Sequence, residues 1–401
     1  MDSNGNYNAF EEQRVAAPIH ETASLSAAEP ADESAAPVFA EESAPTLADT
    51  MPESLLDISE ALAIDEPPQP APKPRLIREA LQPASIALGI SAMMIFTVIA
   101  QLTLLNVIRL LAPGLLQENW FATVFSGATM YLIAFPLSIP FFFVGKAMPP
   151  EKKRLRPLAW FGALAVCFVL MLIGNTIGIT LNEIIGGITG STPQNDLNEM
   201  IANTPTWATF LTVAIGAPIV EEIMYRKLVI DRLRRYGDLF AVLTSAVIFG
   251  LIHGNFYQFF YAAFIGVLLG YVYVHTGRLR YTIALHMAFN FIGGVYSSEM
   301  LRFLQKLDLD RLLSDAFNEI PFEEFYEMIL QAWPGILMML LYYAFILGCI
   351  VATPFTIIFS RKHIRFQKAT VKLRPWALIR TWLCNPAVWV MLAVVAYLFV
   401  G

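Results

Sequence analysis

From residue 85 to its end, this sequence is a succession of apolar runs, most of them long enough to cross a hydrocarbon layer. They lie near 86–111, 122–144, 158–179, 207–229, 239–253, 256–274, 281–296, 334–359 and 386–400. Runs of this kind read as transmembrane helices, so the expected fold is all-α, a polytopic membrane helical bundle. The fifth and seventh runs are short, which suits tilted or enclosed helices. The last is short enough to be only partly inserted. Composition agrees: 56% of the 401 residues are apolar and the mean hydropathy is +0.55, too high for a soluble domain.

The formal charge of -6 averages two unlike parts. Residues 1–72 hold 15 of the 33 acids and a single base, Arg14. Rich in Ala, Ser, Pro and Glu, they read as a disordered acidic tail. Within it, Glu53–Ile64 has the pattern of a short amphipathic turn, and Pro68–Pro74 reads as an extended linker. No apolar core precedes residue 85, so the start does not read as a signal peptide. The remainder carries 18 acids against 26 bases. Bases cluster in every second loop: Lys73 to Arg78, Lys146 to Arg156, Arg226 to Arg235, Arg278 with Arg280, and Arg361 to Arg380. The positive-inside rule then predicts a cytoplasmic N-terminus. The regions are 1–72 (tail), 73–204 (first helices), 205–296 (a core with unusual polar content), 297–332 (an amphipathic, acidic segment at the outer interface) and 333–401 (last helices). Cys167, Cys349 and Cys384 are scattered in or beside apolar runs and read as buried free thiols.

Once the loops are set aside, the ionisable side chains fall in three short motifs. They are Glu221-Glu222-x-x-x-Arg226, Phe249-x-x-x-His253 and His286-x-x-x-Asn290. Each sets its residues four apart, on one helix face. A carboxylate inside a membrane costs at least about 2.5 kcal/mol, so two in a row need a reason. Glu222, four residues before Arg226, is the natural ion-pair partner, which leaves Glu221 the freer carboxylate. Depth is a test of whether the motifs meet. His253 lies 15 residues past Asp238, roughly 22 Å at about 1.5 Å per residue. Glu221 matches that only if its helix runs well past Arg226; an end at Arg232 puts it roughly 16 Å deep by the same rise, with tilt absorbing the rest.

Glu221 as general base, with His253 holding a water, and His286 with Asn290 as hydrogen-bond donors to an oxyanion, would suit amide hydrolysis. A packing network and a proton pathway use the same residue types. From residue types alone the three readings stand level. One Glu and two His also make the donor set of a catalytic zinc site. The histidines, however, stand 33 residues apart and no HExxH is present, so a site needing no metal is the preferred expectation. A zinc ion, if present, would be held by Glu222, His253 and His286.

These motifs, as EEIMYR at 221–226, FGLIH at 249–253 and HMAFN at 286–290, resemble the CAAX-processing and bacteriocin-processing (CPBP, or Abi) intramembrane endopeptidases. The resemblance covers roughly residues 205–295 and includes Gly266, Gly270 and the Thr276-Gly277 turn. It implies an all-helical membrane fold with an active-site cavity inside the bundle. It also implies Glu221 as the water-activating base, His253 as its partner, His286 and Asn290 on the oxyanion side, and Glu222, Arg226 and Phe249 in support. Members have been described both as metalloproteases and as glutamate proteases. The implied partners are the lipid bilayer and a peptide or prenyl-protein-like substrate, with no nucleic acid. The implied place is a plasma membrane. The alternative is a non-proteolytic scaffold or bacteriocin-immunity protein with a structural polar core.

Overall fold

Among the described residues, ten helices account for the apolar runs. The computed structural model describes residues 76–190, 203–307, 312 and 320–400. The acidic tail 1–72, with its candidate turn and linker, lies outside the described residues. We number the helices α1 (Leu76–Leu111), α2 (Phe121–Phe142), α3 (Pro157–Thr189), α4 (Thr206–Tyr236), α5 (Asp238–Leu251), α6 (Phe256–Thr276), α7 (279–304), α8 (Phe322–Ser360), α9 (Pro375–Leu383) and α10 (Pro386–Val400). No strand occurs among the described residues. The fold is the expected all-α polytopic bundle.

Among the described residues, the nine apolar runs do not give nine helices long and apolar enough to cross a membrane. Six helices, α1 to α4, α6 and α8, are long and apolar enough to cross a membrane, and α9 with α10 adds a seventh if that pair, bent by 68°, is one span. The fifth run is α5, only 14 residues long. The seventh lies in α7, which its own polar residues keep out of that class. Within the segment 297–332, the described parts extend long helices: Ser297–Leu304 ends α7, and Phe322 begins α8. Gly335 of α8 packs against Phe303 and Leu304 of α7.

Packing follows small residues. Gly266 and Gly270 lie where two helices approach closely. A methyl group at Gly266 would lie 3.1 Å from the Ala246 Cα, and one at Gly270 3.0 Å from a Val242 methyl, so α6 sits closely on α5. On its other side α6 meets α3, where a methyl at Gly174 would overlap the backbone of Tyr261. One apolar core joins α1, α2, α4, α5 and α10 around Ile86, Phe142, Ile230 and Val242. A second joins α3, α6, α7 and α8 around Phe168, Leu269 and Leu285. Cys167 and Cys349 are buried thiols, as expected, but Cys384 is exposed. It stands at the bend between α9 and α10, where a change of chain direction leaves little to cover it.

One end of the bundle is basic and tied together by polar contacts. Arg234 pairs with Asp238 at 2.7 Å and donates to the Met148 carbonyl and to Gln367. Arg235 pairs with Glu79 at 3.0 Å. The backbone N–H of Lys153 donates to the Thr276 carbonyl at 2.7 Å. The loops before α3 and after α8 therefore brace the ends of α4, α5 and α6.

Overpacking a tight helix contact costs about 1–3 kcal/mol. Gly174→Ala is expected to lower the thermal midpoint of the detergent-solubilised protein by several degrees. Gly187→Ala, in the same helix but with nothing within 4 Å of the added methyl, is expected to leave it unchanged or slightly raised.

Candidate active site

Glu221 and Glu222 sit in a six-residue α-helical stretch, Ala217–Glu222, between two π-helical stretches, Phe210–Gly216 and Ile223–Ile230. A third π stretch, Phe291–Tyr296, follows Asn290, and a fourth, Thr129–Ala134, carries Tyr131. Such widened turns shift the side chains beyond them around the helix axis and are frequent at functional sites. α4 continues to Tyr236, beyond the Arg232 end considered from the sequence. Glu221 then lies 15 residues before Tyr236, and His253 lies 15 residues after Asp238. Both therefore stand the same number of residues from the turn at Gly237, and the longer α4 reduces the depth mismatch left by an end at Arg232. Gly237 adopts φ +104°, a backbone conformation that a residue with a Cβ rarely takes, and so reverses the chain between two long helices in a single step.

The two glutamates part company. Glu222 and Arg226 are both fully buried, and Arg226 Nε meets Glu222 Oε2 at 3.0 Å. The Arg226 guanidinium lies 5.5 Å from the centre of the Phe249 ring, a contact that favours a desolvated cation. Phe249 also packs on Tyr225, His253 and His286 with ring centres 4.9, 5.1 and 5.8 Å apart. It is the apolar hub of the site. Glu221, with 17% of its side chain exposed, faces a cavity of about 390 Å³.

His253, His286 and Asn290 line the same cavity. The histidine beside Glu221 is His286, not His253. Its Nε2 lies 3.6 Å from Glu221 Oε2, and its Nδ1 lies 3.1 Å from Glu222 Oε1. Both nitrogens are turned to carboxylates, which leaves His286 poorly placed as the oxyanion donor expected from the sequence. His253 Nδ1 lies 2.8 Å from the Phe249 carbonyl. That oxygen only accepts, so Nδ1 carries the hydrogen and a neutral His253 offers the lone pair of Nε2. Asn290 Nδ2 donates one hydrogen to the Val213 carbonyl at 2.8 Å and keeps a second.

Among the described residues no three His, Cys, Asp or Glu side chains are grouped to hold a metal ion. The expected set of Glu222, His253 and His286 does not fit one: Glu222 has one oxygen on a buried guanidinium and the other on His286. Residues that the motifs omit also line the cavity, among them Tyr131, Asn175, Gln258 and Tyr261. Asn175, an amide within the third apolar run, carried the readable signal of a polar group inside an apolar span.

Residues 203–292 match the family model of the type II CAAX prenyl endopeptidase Rce1-like proteins, and the match encloses all three motifs. The chain carries an Rce1-like domain of the CPBP family. The membrane-embedded CAAX protease MroQ of Staphylococcus aureus (strain USA300) is 31% identical over 147 residues, which is 35% of this chain and 57% of that one. The putative membrane peptidase YdiL of Bacillus subtilis (strain 168) is 30% identical over 90 residues, 22% of this chain and 37% of the relative. The matches thus span roughly half of one curated relative's length and a third of the other's. No solved structure matches.

Removing one partner of a buried ion pair strands the other charge, at about 3–5 kcal/mol. Arg226→Met is therefore expected to destabilise the Rce1-like domain by about that amount, and Glu222→Gln with Arg226→Met to restore at least half of it. Thermal unfolding of the single and double variants in one detergent measures both.

Proposed function

We propose that this chain is an intramembrane endopeptidase that hydrolyses a peptide bond of a membrane-associated peptide or prenyl-protein-like substrate, with water activated by Glu221. One observation carries the reading: the neutralised Glu222 is locked to Arg226, while Glu221 is left facing the cavity that His253 also lines. A carboxylate kept out of an ion pair at membrane depth is suited to proton transfer. The match to the Rce1-like family model and the protease names of two relatives support the same reaction class.

The chemistry follows from the positions. Glu221 takes a proton from water as its oxygen attacks the carbonyl carbon. His253 Nε2 accepts the water's other hydrogen and aims the attacking lone pair. His286, between the two carboxylates, holds Glu221 in place. The free N–H of Asn290 is available to the carbonyl oxygen. Collapse of the tetrahedral adduct expels the amine, which leaves with the proton from Glu221. A cavity of about 390 Å³ is near the lower end of ligand sites, roughly 300–1,000 Å³, and suits a short extended segment. The basic end of the bundle is the cytoplasmic end by the positive-inside rule, in a bacterial plasma membrane.

In proteoliposomes, a quenched-fluorescent peptide ending in a prenylated CAAX motif, and its unprenylated twin, test the reaction and the substrate class together. A general base contributes roughly 10²–10⁴-fold, so Glu221→Gln is expected to lower kcat at least 100-fold with an unchanged thermal midpoint. Full activity in that variant would remove Glu221 as base. A wild-type protein that cuts neither peptide would favour a scaffold or bacteriocin-immunity role. A metal-free site predicts that EDTA and 1,10-phenanthroline leave the rate within twofold, and loss of activity restored by zinc would overturn that.

A further inference from the structure

Asn255, in the turn between α5 and α6, sets the direction of a short hydrogen-bond chain along the cavity wall. It caps α6 in an extended conformation, and its Oδ1 accepts from the backbone N–H of Gln258 at 2.9 Å. A backbone N–H only donates, so this contact fixes which way the Asn255 amide points. Its Nδ2 must then donate, and it does, to the His253 carbonyl at 2.9 Å and to Gln258 Oε1 at 2.8 Å. With its oxygen accepting, the Gln258 amide is fixed in turn, and its Nε2 donates to the Tyr261 hydroxyl at 3.1 Å. Asn255, Gln258 and Tyr261 lie three residues apart, one helical turn each.

The end of this relay matters. Tyr261 receives a hydrogen bond through a lone pair, so its own O–H remains to be donated. Tyr261 and Gln258 line the same cavity as Glu221, His253 and Asn290. The Tyr261 backbone is seated directly on Gly174 of α3, so the ring is carried on a tight helix contact. Hydrolysis of an amide needs donors where the carbonyl oxygen gains negative charge. His286 is turned to two carboxylates, and Asn290 has given one of its two amide hydrogens to Val213. The cavity therefore has room for a further donor, and one is preset in its wall.

We propose that Tyr261 donates its hydroxyl hydrogen to the oxygen of the scissile carbonyl and holds the oxyanion, with Asn255 and Gln258 as the positioning residues that set its direction. This rests on the hydrolytic reading above. As the Glu221-activated water adds to the carbonyl carbon, the C=O π pair moves to oxygen, and Tyr261 shares its hydrogen with that oxygen without losing it. When the adduct collapses, the pair returns, the C–N bond breaks, and the amine leaves with the proton taken up by Glu221. Tyr261 ends as it began.

The test runs wild type, Glu221→Gln, Tyr261→Phe, Gln258→Leu and Gln258→Glu on the two peptides in proteoliposomes, with thermal midpoints measured alongside. Loss of one oxyanion donor costs roughly 10²–10³-fold in kcat. Tyr261→Phe is expected to fall by that much with KM and midpoint unchanged. Gln258→Leu frees the hydroxyl to rotate and is expected to lose less. Gln258→Glu keeps the hydroxyl but turns its neighbour into an acceptor, drawing the hydrogen away, and is expected to approach the loss of Tyr261→Phe. If Glu221→Gln is inactive while Tyr261→Phe keeps its kcat, or changes KM alone, the role of Tyr261 is overturned and the base stands. If Glu221→Gln stays active, or wild type cuts neither peptide, the hydrolytic reading falls and takes this one with it. A Tyr261→Phe profile whose acid limb moves upward in pH would mean that the hydroxyl serves the Glu221 carboxylate, and that too overturns the proposal.

Discussion

Everything at the centre of this bundle depends on a carboxylate and a guanidinium buried against each other where neither can reach water. Desolvating two charges is expensive and their attraction repays it only in good geometry. Glu222 and Arg226 meet part of that demand with spacing four residues apart on one helix, an Nε–Oε2 contact of 3.0 Å and a Phe249 ring 5.5 Å from the guanidinium, while both Nη atoms of Arg226 are buried without a hydrogen-bond partner. Once this pair is closed, its neighbours inherit fixed positions. Phe249 brings α5 against α4, and His286 brings α7 against Glu222. Glu221 is then the carboxylate left over, with one face on the cavity. One residue step along the helix separates a carboxylate held in the ion pair from one that faces the cavity.

Much of this could be read from residue order, for reasons that differ between elements. Apolar length marked the helices because a bilayer tolerates few other arrangements. The pair Glu222–Arg226 was legible because helical spacing alone decides which residues stack. Span number was less so. A run of apolar residues does not reveal that α5 stops after 14 residues, or that the polar residues of α7 make it a weak span by composition. The identity of the histidine beside Glu221 was also hidden. Sequence spacing places His253 and His286 on faces of their own helices, but which reaches the carboxylate depends on how α5 and α7 are rotated against α4. That rotation comes from side-chain packing and from widened turns.

Those turns explain the other blind spot. Val213, Gly293, Gly294 and Tyr131 all lie in π-helical stretches and all line the cavity. A π turn has no strong residue signature, and it rotates everything beyond it relative to a regular helix. Part of the cavity wall is built at these irregular places, and those members cannot be counted off by a period of 3.6. Gln258 and Tyr261 were missed for a simpler reason: in an apolar run, tyrosine and glutamine look like interfacial residues until the helix start at Asn255 is known.

The turn at Gly237 has a consequence for how the protein meets its membrane. Glu221 and His253 stand the same number of residues from it, one up each arm of the α4–α5 hairpin, and the turn is braced by Arg234, Asp238 and Gln367. Both cavity-lining groups are therefore measured from one protein landmark, like two marks on a folded ruler. Lipid bilayers differ by several ångströms in thickness and helices answer by tilting. Here tilt would move both marks together. The distance between them is an internal length, set by the hairpin rather than by the sheet of lipid around it.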